Sequence, residues 1–141
     1  MNIRIPRAIV SDMLQHAYEH YPKECCGVLM RPSSSPRRVV EARRTRNTHP
    51  DSTTRYTMDP KELSTILRYA AESGYEILGF YHSHPRSGSS LSDVDLDEAL
   101  NSDWSKEIYL VISLAELTRP VIRAFSVERP NRRIEHTIEP F

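Results

Sequence analysis

His82-Ser83-His84-Pro85, followed by Ser92 and Asp95, gathers two imidazoles, a hydroxyl and a carboxylate within fourteen residues. As a pattern the stretch reads H-x-H-P-x6-S-x-x-D. Imidazole and carboxylate donors suit zinc, and three protein ligands leave a fourth tetrahedral position for water. One zinc per chain is therefore expected. A closed structural site would need a fourth ligand, and Cys25 or Cys26 could offer it, although neither lies in a C-x-x-C knuckle.

The elements around these residues must bring them together. Glu76 to Tyr81 reads as a buried strand. If it continues to His84, side-chain alternation points His82 and His84 the same way, roughly 6.5–7 Å apart at Cα. A lone histidine at a strand end is ordinarily just hydrogen-bonded. Ser92 and Asp95 likewise fit a capping box, with Leu96, Ala99 and Leu100 forming the apolar face of the helix that follows. The cap and the metal do not exclude each other, because a helix N-terminus can hold a carboxylate that faces a strand end.

Elsewhere the pattern predicts a strand at Ile3 to Ile5 and a helix with apolar positions from Val10 to Tyr21, ended by Pro22. Cys25 to Met30 reads as a buried strand, Val39 to Arg46 as its partner, and Arg55 to Met58 as extended. A second helix has Asp59 as N-cap, Pro60 at N1 and Glu62 at N3; Gly74 sits at C′. After the Ser/Gly-rich loop Arg86–Ser90 and the Ser92 helix come three strands, at Ile108 to Leu114, Val121 to Val127 and Arg133 to Ile138. The order predicts a mixed α/β chain with a curved, mostly antiparallel sheet and two to three packed helices. No repeat or linker divides it, so residues 1–141 are expected to form one domain.

Nineteen basic and nineteen acidic residues cancel, so no global field favours nucleic acid or a membrane surface. No stretch approaches the roughly 20 apolar residues of a membrane span, and the first residues lack the apolar run of a signal peptide. Adjacent Cys25 and Cys26, with no other cysteine, are a poor geometry for a disulfide. A reduced cytoplasmic protein is expected. Between Arg31 and Arg46, six arginines flank a turn-like Pro/Ser stretch with only Glu41 opposing them. They read as solvated strand edges or as a docking surface for an acidic protein; no aromatics interleave them as a single-strand binder would require.

Glu24 in Pro22-Lys23-Glu24-Cys25-Cys26-Gly27, together with His82, His84, Pro85, Ser92 and Asp95, resembles the JAMM (MPN+) metalloprotease motif, and the resemblance covers almost the whole chain. It implies a cytidine-deaminase-like MPN fold. It implies His82, His84 and Asp95 as zinc ligands, Glu24 as general base and Ser92 as oxyanion donor. The chemistry needs these types. Zinc lowers the pKa of its water from 15.7 to about 7, and a carboxylate can carry the proton from water to the leaving amine. A hydroxyl on the developing oxyanion is worth roughly 3 kcal/mol in comparable sites.

The resemblance further implies a ubiquitin-like or sulfur-carrier protein as partner, cut after its C-terminal Gly-Gly tail, with that tail adding a strand to the sheet. Small members of this kind release a residue beyond Gly-Gly, or remove a modifier from lysine. Two departures narrow the choice. No cysteine follows Cys26 and His136 is the only histidine after Asp95, so the second zinc site of chain-cutting deubiquitinases is not expected; the Arg86–Leu91 loop is also short. The rival from another class is a non-catalytic MPN interaction module, which ordinarily lacks the ligands present here. A nucleotide deaminase would need one histidine with two cysteines, or three cysteines, and H-x-E spacing, which is absent. The oligomeric state stays open, a homodimer included.

Overall fold

β-Branched and aromatic runs form the strands, and capped amphipathic runs form the helices. In the computed structural model, which describes residues 2–141, the order is β1 (Asn2–Ile5), α1 (Arg7–His20), β2 (Cys26–Pro32), β3 (Glu41–Thr45), α2 (Pro60–Glu72), β4 (Tyr75–His84), α3 (Asp93–Leu100), β5 (Ile108–Ser113), β6 (Val121–Glu128) and β7 (Arg132–Pro140). The strands make one sheet in the order β1-β7-β6-β5-β4-β2-β3. Only β1–β7 and β4–β5 pair in parallel, as the mixed, mostly antiparallel expectation requires. The sheet curls until β1 meets the segment before β3: Arg4 N donates to Arg37 O and Val39 N donates to Arg4 O.

Each face of the sheet carries its own core. Leu110 and Ile112 of β5 join Ile3, Met13, Ala17 and Leu29 on the α1 side. Tyr109 and Val111 of the same strand join Phe80, Ile66, Leu96 and Phe125 on the side of α2 and α3. Burying each large aliphatic side chain contributes about 1.5–3 kcal/mol, which ties the helices to the sheet. α2 starts as its sequence demands, with the Asp59 carboxylate accepting from Lys61 N and Glu62 N. It stops at Gly74, whose φ of 73° is the left-handed conformation that a Cβ disfavours.

Two features of β4 aim the histidines. Leu29 pairs with Gly79 but Met30 pairs with Ile77, so Leu78 is an extra residue on β4. This bulge sends Leu78 to the α1-side core while Phe80 faces α2 and α3. Gly79 itself lies against the Ile108 backbone of β5, where any Cβ would collide with main-chain atoms.

Two expectations shift. β3 begins at Glu41 rather than Val39, because Val39 N is taken by Arg4 O and its side chain is buried in the α1-side core. α1 ends at His20, one residue before Tyr21. The segment expected to be extended, Arg55–Met58, lies outside the named strands and bridges at Met58, to Asn47. Its order comes from the side chain of Asn47 instead. Asn47 Nδ2 donates to Glu24 O and Arg55 O, and Oδ1 accepts from His49 N and Thr57 N. One amide thus ties residues 48–57 to the start of β2.

Two outcomes follow from this packing. Gly79→Ala is expected to cost at least the roughly 1–3 kcal/mol of an overpacked core, read as a lower urea midpoint. Asn47→Ala frees four backbone groups and is expected to cost about 1–3 kcal/mol. Limited proteolysis should then nick within residues 48–57; an unchanged digestion pattern would show that the arm is held by something else.

Candidate metal centre

β4 runs on to His84, so the strand on which the histidine alternation depends is complete. His82 and His84 project to the side where α3 begins. His82 Nε2 lies 3.1 Å from His84 Nε2, and Asp95 Oδ2 lies 3.1 and 3.0 Å from the two nitrogens. The capping box is also present: Asp95 N donates to Ser92 Oγ at 3.0 Å, and Ser92 N donates to Asp95 Oδ2 at 3.1 Å. Both readings of the serine–aspartate pair hold together. The box that starts α3 also turns the carboxylate toward the histidines.

The loop between strand and helix is pinned from three directions. Ser113 Oγ donates to Ser87 O, Arg133 Nε donates to Leu91 O, and His84 Nδ1 donates to Gly88 O at 2.7 Å. The last bond fixes a tautomer. With its proton on Nδ1, neutral His84 presents the Nε2 lone pair to the centre. Two imidazole nitrogens and a carboxylate oxygen then converge within 3.1 Å. Such a cluster needs positive charge at its middle, from a proton or a cation. A tetrahedral ion with bonds near 2.0–2.1 Å sets its ligands about 3.3 Å apart, close to the observed triangle. The donor set fits a metal ion.

The electrostatics agree. Burial would raise Asp95, yet hydrogen bonds and charge from His82 and His84 hold its carboxyl well below the usual carboxylate range. Burial lowers His82. It opposes protonation of His84 too, but Asp95 and the Gly88 carbonyl outweigh it and raise that ring.

Glu24 enters from the start of β2, buried, with a carboxylate oxygen within 4.8 Å of ring nitrogens of His82 and His84. Its Oε1 is buried without a hydrogen-bond partner, as is His82 Nδ1. Burial pushes the Glu24 carboxyl up to about 7. Its main chain is clamped: Glu24 N donates to Ser52 O, and Glu24 O accepts from Asn47. The next residue is clasped to β4, where Cys25 N donates to Ser83 Oγ at 2.8 Å and Ser83 N donates to Cys25 O. Ser83, the residue between the histidines, thus ties Glu24 to the strand that carries them.

All five residues singled out from the sequence meet here. Neither cysteine does. Cys25 lies in the α1-side core, Cys26 Sγ sits 3.2 Å from Thr45 Oγ1, and burial pushes the two thiols up to about 12 and about 11. The arginine-rich stretch is largely neutralised, with Arg31 paired to Glu76, Arg44 to Asp12 and Glu19, and Arg46 to Asp59 and Glu62.

Sequence reading missed Asn47, Ser83 and Tyr56. The Tyr56 ring stacks on His82 with centroids 4.4 Å apart. Its aromatic character on an otherwise polar arm was the only available signal. Two cavities flank the centre. One of about 400 Å³ is lined by Tyr56, Met58, Phe80, Asp95, Glu98 and Trp104. The other, about 200 Å³, is lined by Glu24, His84, Ser92, Arg86 and Thr54 among others.

Comparison with known proteins shows the family. Residues 6–127 match the family Prok-JAB, prokaryotic homologs of the JAB domain. A desampylase of Haloferax volcanii is 34% identical over 106 residues, covering 75% of this chain and 73% of that protein. A probable TtuB-protein conjugate cleaving protease of Thermus thermophilus is 30% identical over 95 residues, covering 67% of this chain and 62% of that one. Among solved structures, a Desulfitobacterium hafniense protein has a TM-score of 0.86 at 29% identity and covers 100% of this chain and 93% of its own. A JAB1/MPN domain protein of Archaeoglobus fulgidus shares the fold, with a TM-score of 0.60 at 14% identity over 98% of each chain. By the extent of the family match and the identity of its relatives, the chain belongs to the prokaryotic JAB-domain family.

Proposed function

We propose that the chain is a zinc-dependent peptidase or isopeptidase that hydrolyses the amide bond after the C-terminal Gly-Gly tail of a ubiquitin-like or sulfur-carrier protein. The observation that carries this reading is the convergence of His82, His84 and Asp95 beside a buried Glu24 oxygen that has no partner. A non-catalytic module has no use for that arrangement. The names of the relatives, a desampylase and a TtuB-protein conjugate cleaving protease, support a ubiquitin-fold modifier as the acyl side.

His82, His84 and Asp95 would hold the zinc, one per chain. The ion supplies Lewis acidity, which brings the pKa of a water to about 7. Glu24 accepts the proton of the attacking water and delivers it to the leaving nitrogen, so that water adds across the C–N bond to give an acid and an amine. Its raised pKa suits a group that must both take and give a proton near neutral pH. Ser92 Oγ accepts from Asp95 N, which leaves its own proton free to donate to the carbonyl oxygen as charge develops there. The cavity on the Asp95 side takes the tail, and the cavity on the Glu24 side takes the leaving amine, since that amine must reach the Glu24 proton.

Elemental analysis of the purified protein is expected to give one zinc per chain, with cleavage stopped by chelation. Glu24→Gln should keep the metal and lose roughly 10²–10⁴ in kcat, the usual worth of a positioned acid–base group. Full activity in that variant would sink the mechanism. Ser92→Ala should cost about 10²–10³ in kcat.

The same carboxyl predicts a pH signature in metal-free protein. The folded state holds the Glu24 proton up to about 7, against 4.5 for an ordinary glutamate. Stability from that proton is complete below 4.5 and is lost as pH rises through about 7. Chelated Glu24→Gln should therefore match wild type in thermal melts at pH 4 and exceed it at pH 8.

A further inference from the structure

The cavity of about 200 Å³ beside Glu24 is polar on its outer wall, where Thr53, Thr54, Ser87 and Arg86 meet. Arg86 is exposed and makes no ion pair among the described residues, unlike Arg31, Arg44 and Arg46. The cavity across the centre has Asp95 and Glu98 in its lining and no basic residue among those that line it. A guanidinium presents a planar fork of donors that matches a carboxylate in bidentate fashion.

Position decides which part of the substrate meets Arg86. If the leaving nitrogen takes its proton from Glu24, the residue that bears this nitrogen occupies the same cavity. The volume is below the roughly 300–1,000 Å³ of drug-sized ligand sites, so it accommodates about one residue. A lysine side chain entering there would lay its methylene stem against threonine and serine hydroxyls. A single C-terminal residue would instead bring a carboxylate, one carbon removed from its nitrogen.

Resting on the hydrolase reading above, we propose that Arg86 pairs with the free α-carboxylate of a single residue that follows the Gly-Gly tail. Arg86 is then a specificity residue, and linear trimming is preferred over cutting a lysine-linked bond. The carboxylate is also drawn away from Glu98, which orients the tail into the acidic cavity.

The test uses a ubiquitin-fold carrier protein that ends in Gly-Gly, extended by one alanine. It is made as the free acid and as the C-terminal amide, and also joined through Gly-Gly to a lysine side chain. Wild type is expected to cleave the acid about tenfold better than the amide or the lysine-linked form, with the difference in KM. Arg86→Ala should bring the acid-to-amide ratio to about one, and Arg86→Lys should restore part of it. Equal ratios in wild type and Arg86→Ala would overturn the proposal. Calorimetric binding to zinc-loaded Glu24→Gln protein, with and without Arg86→Ala, separates the two layers of inference. Acid-selective binding that needs Arg86, with no cleavage by wild type, upholds the subsite and sinks the hydrolase reading; cleavage with equal binding of acid and amide sinks the subsite alone.

Discussion

A carboxylate oxygen that lies 3.0–3.1 Å from two imidazole nitrogens, in a place from which water is largely excluded, is the constraint on which the rest of this molecule turns. Left to themselves, three lone-pair donors so close would repel. The protein holds them there with hydrogen bonds made around the rim of the centre. The N-terminus of α3 fixes Asp95 through reciprocal bonds with Ser92, and the Gly88 carbonyl fixes the proton of His84 on its far nitrogen. Positive charge at the middle then has somewhere to go.

That centre sits at the C-terminal end of β4, between a parallel strand pair and the helix that connects it. Parallel strands require a crossover connection, and the crossover here is α3 itself. The topology therefore places a helix N-terminus beside a strand end without any special device. The bulge at Leu78 and the bare backbone of Gly79 finish the alignment, since one sets which face the histidines use and the other lets β5 approach. Opposite them, antiparallel β2 brings Glu24 in from the other direction, and Ser83 ties the two strands together.

Much of the cluster was legible in the chain because its spacing carries geometry. Histidines two apart on a strand share a face, and a serine three residues before an aspartate caps a helix; both are local rules. The helix boundaries at Asp59 and Gly74 were legible for the same reason. Val39 was misjudged because the partner of its backbone, Arg4, is distant in the chain, and the clamp on Arg55–Met58 was missed because it is the side chain of Asn47. The ion pairs of the arginine run with Asp12, Glu19, Asp59 and Glu62 were not legible, because those partners lie on other elements.

By itself the sequence determined the residue types of the centre, the strand and helix that bear them, and, through resemblance, the family; periodicity and capping act over a few residues and need no knowledge of the rest. Only the tertiary structure decided how Glu24 meets the histidines, that the cysteines stay out of the centre, and that one flanking cavity is acidic and the other holds a free guanidinium. Those outcomes depend on strand register and on which side chains remain unpaired after folding. Both are properties of contacts between segments far apart in the chain, which no local pattern encodes.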